Sequence, residues 1–361
     1  MHAIDPQVAG DPELIEIRPD ERLDTTRLEP YLRAHLPHAG GPFALGQFGG
    51  GHANLTYLVR FGDDEYVLRR PPIGPIAPSA HDMRREHRVL SRLYPAFELA
   101  PRSFLFCDDL SIVGAEFQVM ERRRGIVVRR EMPPAHADPA TCRRVGEMLI
   151  DVLARFHRVE SDAVGLGDLG RPEGYVQRQV EGWIARWESA KDRDYPFADE
   201  LIAWLRAHVP RSLQTTLVHN DYKLDNLLVV AGDPAQPVAV LDWDMCTRGD
   251  PLMDLGYLLD YWVEAGDDPA WRGGAGMPTW REGFPTRREA AERYARATGF
   301  DLGELHWYEI ENLFRTIVIL AQIYIRYLRG QTQDARFADF GNRLDILFEK
   351  ARVRVTSGRL S

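Results

Sequence analysis

The stretch from Leu217 to Asn226, Leu-Val-His-Asn-Asp-Tyr-Lys-Leu-Asp-Asn, most constrains what this chain can fold into. Two apolar residues lead in, polar and charged side chains crowd the following positions, and the run Leu227-Leu228-Val229-Val230 leads out. Such an arrangement is a loop held between two buried strands, not a helix. Beyond a turn at Gly232-Asp233-Pro234, a second apolar run from Val238 to Leu241 ends abruptly in Asp242-Trp243-Asp244. Loop, strand, turn and strand are therefore expected to gather Asp221, Asn226 and Asp242.

Phosphoryl transfer gives a chemical reason for that gathering. It needs a carboxylate to orient and deprotonate a hydroxyl, and oxygen ligands for the magnesium that neutralises triphosphate charge. Asp221 suits the first role. Asn226 and Asp242 suit the second, with Asp244 either assisting the metal or bonding backbone amides. Lys223, two residues after Asp221, is placed where a cation can stabilise the transferring group. His219 is a catalytic-loop candidate that holds the loop by hydrogen bonds.

The motif His-x-Asp-x-x-x-x-Asn at 219 to 226, followed by Leu-Asp-Trp-Asp at 241 to 244 and Gly-Asp-Pro-Leu-Met-Asp-Leu at 249 to 255, resembles the aminoglycoside phosphotransferase family. Arg-Arg-Pro-Pro at 69 to 72 and Met-Glu-Arg-Arg-Arg-Gly at 120 to 125 are similar to the kinase-like domains fused to some acyl-CoA dehydrogenases. The resemblance spans roughly residues 40 to 330. It implies an α+β, bilobal protein-kinase-like fold, with a five-stranded antiparallel N-terminal lobe, a mainly helical C-terminal lobe, and ATP with magnesium as cofactors. The acceptor it implies is a small-molecule hydroxyl, with a hydroxyacyl-CoA thioester ranked first. Aminoglycosides, macrolides and other alcohols are the alternatives, and a nucleotide-binding regulator without catalysis is the reading from a different class.

Composition leaves room for such a molecule. The 361 residues carry a formal charge of -9, with 44% hydrophobic and 27% charged residues, as in an ordinary globular protein with no broad nucleic-acid surface. Cys107, Cys142 and Cys246 lack Cys-x-x-Cys spacing, so neither a zinc site nor a disulfide framework is expected. The acidic N-terminus is unlike a signal peptide. The most apolar run, Thr316 to Ile325, lies between Arg315 and Arg326 and is far short of the ~20 residues a bilayer requires. A cytoplasmic protein is expected.

Three regions follow from a pass along the chain: residues 1–39 as an arm and leading helix, 40–121 as a nucleotide-binding lobe, and 122–361 as a catalytic and substrate-binding lobe. The first twenty residues read as a loose arm, and Thr26-x-x-Glu29 as a capping box opening a helix that Gly40-Gly41-Pro42 stops. Strands are expected at 43–48, 55–61, 65–70, 102–107 and 115–120. The first two are joined by Gly49-Gly50-Gly51-His52-Ala53-Asn54, where glycine lets backbone amides approach anionic oxygens and His52 and Asn54 add donors.

In kinases a third-strand lysine binds the nucleotide phosphates and pairs with a glutamate on the next helix. Here Tyr66-Val67-Leu68-Arg69 offers arginine, so Arg69 with Glu86 is the candidate pair and Arg70 the competitor. Gln118 to Glu121, with Gln118 and Met120 as cofactor-binding residues, would form the hinge against adenine. Five arginines between Arg122 and Arg130 form either a solvated face or an anion-binding patch unsuited to a polycationic acceptor. Helices are expected from Asp138 onward, with Asp250 as a later N-cap, Asp254 as a loop anchor, and 264–285 as an insert near the substrate entrance.

Overall fold

A computed structural model describes residues 13–49, 54–73, 82–269, 276–332 and 334–358. The chain divides into two compact units, Met1–Ile126 with Val238–Cys246, and Val127–Pro237 with Thr247–Ser361. This differs from the expected boundary after residue 121 in one important respect. The segment bearing Asp242 and Asp244 belongs to the first unit.

The first unit is built on strands β1 (Leu14–Ile15), β2 (Phe43–Phe48), β3 (Leu55–Phe61), β4 (Asp64–Arg70), β5 (Ser103–Cys107) and β6 (Phe117–Glu121), in the order β1-β2-β3-β4-β6-β5. All the neighbouring pairs are antiparallel. The expected five-stranded sheet is thus corrected to six strands, because Leu14 and Ile15 pair with Phe48 and Gln47 and turn part of the supposed loose arm into an edge strand. Gly49 permits this approach: its N–H donates to Glu13 O at 2.8 Å, and a Cβ there would meet Ile15 Cγ2 at 2.7 Å.

Side chains alternate across a strand, so Tyr66 and Leu68 of β4 join a core with Tyr57, Val59, Phe61, Phe117 and Val119. Helix α1 (Thr25–His35) adds Leu28 and Leu32 to that core. Its cap corrects the expected box: Asp24, not Thr26, accepts a hydrogen bond, from Thr26 N. Three candidate caps stand together as Asp24-Thr25-Thr26, and the carboxylate takes the position. Helix α2 (Met83–Leu93), capped by Asp82, packs against β5 and β6.

The second unit is mainly helical. Its elements are α3 (Pro139–His157), α4 (Tyr175–Ala190), α5 (Ala198–Ala207), α6 (Leu252–Tyr261), α7 (Arg287–Thr298), α8 (Leu305–Leu328) and α9 (Phe340–Ser357). Asp138 caps α3 through Thr141 N, and Thr286 with Glu289 forms a capping box on α7. Asp250 Oδ1 accepts from Leu252 N at 2.9 Å at the start of α6, as expected. Helix α8 contains the most apolar run and packs against α4, α6 and α9. Among the described residues no helix is long and apolar enough to cross a membrane.

Two short strands, β7 (Thr216–Val218) and β10 (Thr247–Gly249), pair antiparallel in this unit. Strands β8 (Leu227–Val230) and β9 (Asp233–Val240) lie between them in sequence, and the chain passes into the first unit within β9. The polar stretch from His219 to Asn226 is therefore the connection from β7 to β8, as its sequence implies.

Candidate active site

In the second unit the β7–β8 loop is organised by a carboxylate from helix α6. Asp254 is fully buried, and its oxygens accept from His219 N at 2.6 Å, Asn220 N at 2.7 Å and the His157 ring at 3.1 Å. His157 also contacts Tyr294 Oη through Nδ1 at 2.6 Å. Burial alone would raise the Asp254 carboxyl, but His157 and the backbone donors outweigh it and hold the group below its ordinary range.

Asn220 adopts a left-handed backbone, φ 66°, which asparagine tolerates better than most residues. Tyr175 Oη donates to Asn220 Oδ1 at 2.5 Å, and Arg315 Nη2 donates to Asn220 O at 2.7 Å. The turn presents Asp221 half-buried, with both carboxylate oxygens engaged. Oδ1 accepts from Lys223 Nζ at 2.6 Å and Tyr257 Oη at 2.5 Å, while Oδ2 accepts from Asn226 Nδ2 at 2.7 Å. Burial works against the Lys223 charge, yet Asp221 and Asp225 outweigh it and raise its affinity for the proton. Lys223 Nζ also lies 5.6 and 5.5 Å from the ring centroids of Tyr257 and Tyr261.

A second polar cluster occupies the first unit. Strand alternation sends Arg69 to the face opposite Leu68, beside its register partner Gln118. There Arg69 Nη1 pairs with Glu86 of α2, and Nη2 reaches Asp242 Oδ1 at 2.8 Å. Glu86 is wholly buried, and Trp243 N donates to its Oε1 at 3.3 Å. Burial pushes the Glu86 carboxyl up to about 7 against the opposing pull of Arg69. For Arg69, burial is outweighed by Glu86 and Asp242, which hold the guanidinium charged.

Asp242 itself has a left-handed backbone, φ 67°, inside a turn fixed by buried Trp243. Trp243 Nε1 donates to Val240 O at 2.8 Å, and the ring meets Phe97 edge-on at 6.1 Å. Asn54 is buried with Nδ2 3.5 Å from Asp244 Oδ2, and its Oδ1 has no partner among the described residues.

The phosphotransferase enzyme family model matches residues 44–308, most of the chain. The chain belongs to this family. As a family member it is a small-molecule phosphotransferase with an α+β kinase-like fold. It is 34% identical over 345 residues to mouse acyl-CoA dehydrogenase family member 10, covering 95% of this chain but only 32% of that relative's length. A solved structure from Ralstonia eutropha, described as a putative aminoglycoside phosphotransferase, is 30% identical with a TM-score of 0.81, covering 93% of this chain and 99% of that one. An APH(2″) structure described as a GDP and kanamycin complex shares the fold at 16% identity and a TM-score of 0.56, over 91% and 98% of the two chains.

Not all the expected site residues of the phosphotransferase are brought together in one way. Asp221, Lys223 and Asn226 form one hydrogen-bonded group, whereas Arg69, Glu86 and Asp242 form the other, with the Asp244 charge acting on Arg69 and its Oδ2 meeting Asn54. His219 is fully buried and its Nδ1 accepts from Asp221 N at 3.2 Å, so it positions the loop. The Gln118 side chain is committed to Glu86 of α2 and Ser103 of β5, and Met120 is buried opposite Val67. The competitor Arg70 points the other way, donating to Val113 O at 2.8 Å. Gly49 and Asn54 flank the glycine hairpin, while Gly50, Gly51 and His52 lie outside the described residues, as does part of the expected insert at 264–285.

Three residues were missed by sequence reasoning. Tyr257, Tyr261 and Arg315 surround Asp221 and its loop, and the first two had a signal: Asp254, Tyr257 and Tyr261 recur at one helical face of α6. Much of the arginine run is locally paired. Arg122 stacks 4.8 Å over Phe48, Arg123 meets Glu121 at 2.9 Å, and Arg124 meets Glu65 at 2.7 Å.

Among the described residues no group of three or more His, Cys, Asp or Glu side chains clusters to hold a metal. Magnesium does not need one, since it is usually held by one or two carboxylates with water and phosphate completing its shell. Asp242 and Asp244 are hard oxygen donors of the kind magnesium accepts, and Asn54, which meets Asp244, has an Oδ1 with no partner among the described residues, so these residues fit the ion.

Proposed function

We propose that the chain is a magnesium-dependent kinase that moves the γ-phosphoryl group of ATP to the hydroxyl of a small acceptor, preferentially a hydroxyacyl-CoA thioester. The observation that carries this reading is the grip on Asp221: three donors fix both carboxylate oxygens on a loop whose backbone is itself locked by Asp254.

In the proposed reaction the acceptor oxygen forms a bond to the γ-phosphorus as the bond to the β-phosphate oxygen breaks, and ADP leaves. Asp221 orients the acceptor hydroxyl and takes its proton, a role that typically contributes 10²- to 10⁴-fold. Lys223 and Tyr257 prevent the carboxylate from rotating away, and Lys223 adds positive charge where the transferred group passes. In the first unit Asp242 and Asp244 would offer oxygen ligands to magnesium, and in the second unit Asn226 would offer an amide oxygen; the ion when bound would neutralise phosphate charge. Arg69, held between Glu86 and Asp242, takes the place of the usual phosphate-binding lysine. Arginine is no simple equivalent, since its planar fork bonds two partners at fixed geometry.

The preference for a CoA thioester draws on likeness to the acyl-CoA dehydrogenase relative. That relative is about three times as long as the matched region, so its whole activity is not transferred to this chain. The test is transfer of labelled phosphate from ATP and magnesium to a panel of 4-hydroxyacyl-CoA thioesters, their free acids, aminoglycosides and simple alcohols. Transfer to the thioesters alone supports the acceptor proposed here. Transfer to aminoglycosides alone replaces it while leaving the reaction type intact, and ATP binding without transfer to any acceptor favours a regulator.

A further inference from the structure

The second unit contains a cavity of about 310 Å³ that the catalytic loop does not itself fill. Its apolar walls are Ile319, Leu320 and Ile323 of α8 and Phe340, Ile346 and Leu347 of α9. Most of these are half-buried, so two helices that otherwise pack together leave an apolar recess between them. The volume falls at the lower end of small-molecule pockets, about 300–1,000 Å³.

Two features connect this recess with the reacting group. Tyr261 lines the cavity, and its hydroxyl lies 3.3 Å from the Tyr257 hydroxyl, which in turn donates to Asp221 Oδ1 at 2.5 Å. One aromatic side chain therefore borders both the recess and the grip on the base. The charges of the cavity are also ordered. Asp260 accepts from Thr316 Oγ1 at 2.8 Å and faces Lys350 at 3.3 Å and Arg354 at 3.7 Å, while Asp267 is met by Arg287 at 2.6 Å. The two carboxylates are thus answered by nearby cations, and the lining also includes Arg130 and Arg343. An apolar chain with an anionic end matches this lining, whereas a polycation does not.

We infer that this cavity receives the alkyl chain of an anionic amphiphilic acceptor, and that Leu320 and Ile323 measure its length. The inference rests on the phosphotransfer reading above for the identity of the acceptor, but the recess makes a claim about binding that does not require turnover. Each buried methylene should tighten binding about fourfold until the cavity is filled. Leu320→Trp would occupy the recess, and Leu320→Ala would lengthen it.

The experiment is isothermal titration of the protein with a series of 4-hydroxyacyl-CoA thioesters of six, eight and ten carbons, alongside phosphate transfer to the same compounds. The expected result is affinity that rises with chain length, a slope abolished by Leu320→Trp, and a longest accommodated chain extended by Leu320→Ala. Equal affinity for all chain lengths, or a slope that neither variant alters, overturns the assignment even if phosphate is transferred. A chain-length slope without transfer to these compounds leaves the cavity assigned and removes the thioester as phosphoryl acceptor instead. If the tryptophan variant does not fold, the wild-type slope and the alanine variant still decide the matter.

Discussion

Replacing Asp254 with Asn should loosen the catalytic loop far more than its isosteric shape implies. The carboxylate is fully buried and accepts three hydrogen bonds, two from backbone amides. Asparagine offers one carbonyl oxygen, which can keep one of the two backbone bonds, and its amide can meet His157 in the other tautomer. The remaining backbone N–H is then buried without an acceptor, a cost of about 1–3 kcal/mol. The two surviving bonds lose their charge assistance, roughly another 1 kcal/mol each. The sum is about 3–5 kcal/mol, a large part of the roughly 5–15 kcal/mol that stabilises a typical domain.

Urea unfolding followed by tryptophan fluorescence would read this as a midpoint lowered by about 1 M or more, taking a slope of about 3 kcal/mol per molar. Transfer activity should fall as well, because Asn220 holds its left-handed turn between the Asp254, Tyr175 and Arg315 contacts. A midpoint shift below about 0.3 M on that slope, with unchanged kcat, would refute the claim that Asp254 fixes the loop.

Tyr257→Phe removes one donor from Asp221 while keeping the ring, and should lower kcat by about 10- to 100-fold, the range of a hydrogen bond to a charged group; a change under threefold in steady-state assays contradicts its role. Gly256→Ala places a Cβ 2.9 Å from the Tyr308 backbone, where α6 meets α8, and should destabilise by about 1–3 kcal/mol in the same urea assay; an unchanged midpoint contradicts that close approach. Glu311 is buried, neither of its oxygens has a hydrogen-bond partner among the described residues, and burial raises it to about 7. Because the folded state holds this proton more tightly than the unfolded chain, the stability it contributes is full below about pH 4.5 and is lost as pH rises through about 7. Glu311→Gln should therefore be more stable than the parent at pH 8, with the advantage shrinking toward pH 5; an advantage independent of pH contradicts the shift.

The parts of this molecule that were legible in its sequence are those where chemistry is crowded into a few consecutive positions. The loop from His219 to Asn226 declares itself through polar residues between apolar runs, and the structure places three of them, Asp221, Lys223 and Asn226, in one hydrogen-bonded group. The Arg69 and Glu86 pair was legible as a candidate from the kinase pattern of a strand cation and a helix glutamate, with Arg70 left as competitor; the structure separates them, since alternation puts the two arginines on opposite faces and Arg69 meets Glu86.

What escaped notice depends on long-range packing. Tyr257 and Tyr261 sit in an apolar helix where aromatic residues read as core, and only the arrival of Asp221 from 36 positions away gives Tyr257 its polar contact. Leu14 and Ile15 form a strand too short for any periodicity, and it exists because β2 offers an edge and Gly49 leaves room. The arginine run reads as one patch in sequence but is split by its partners, with Arg122, Arg123 and Arg124 engaged by Phe48, Glu121 and Glu65.

The most direct test of the central claim is a single-turnover measurement with γ-labelled ATP, magnesium and a 4-hydroxyacyl-CoA, comparing the parent with Asp221→Asn while nucleotide affinity is measured on both. The variant is expected to bind ATP with affinity close to the parent's and to transfer phosphate at least about 100-fold more slowly, in line with removal of a general base. Transfer at the parent's rate in Asp221→Asn, with the labelled product intact, would contradict that claim.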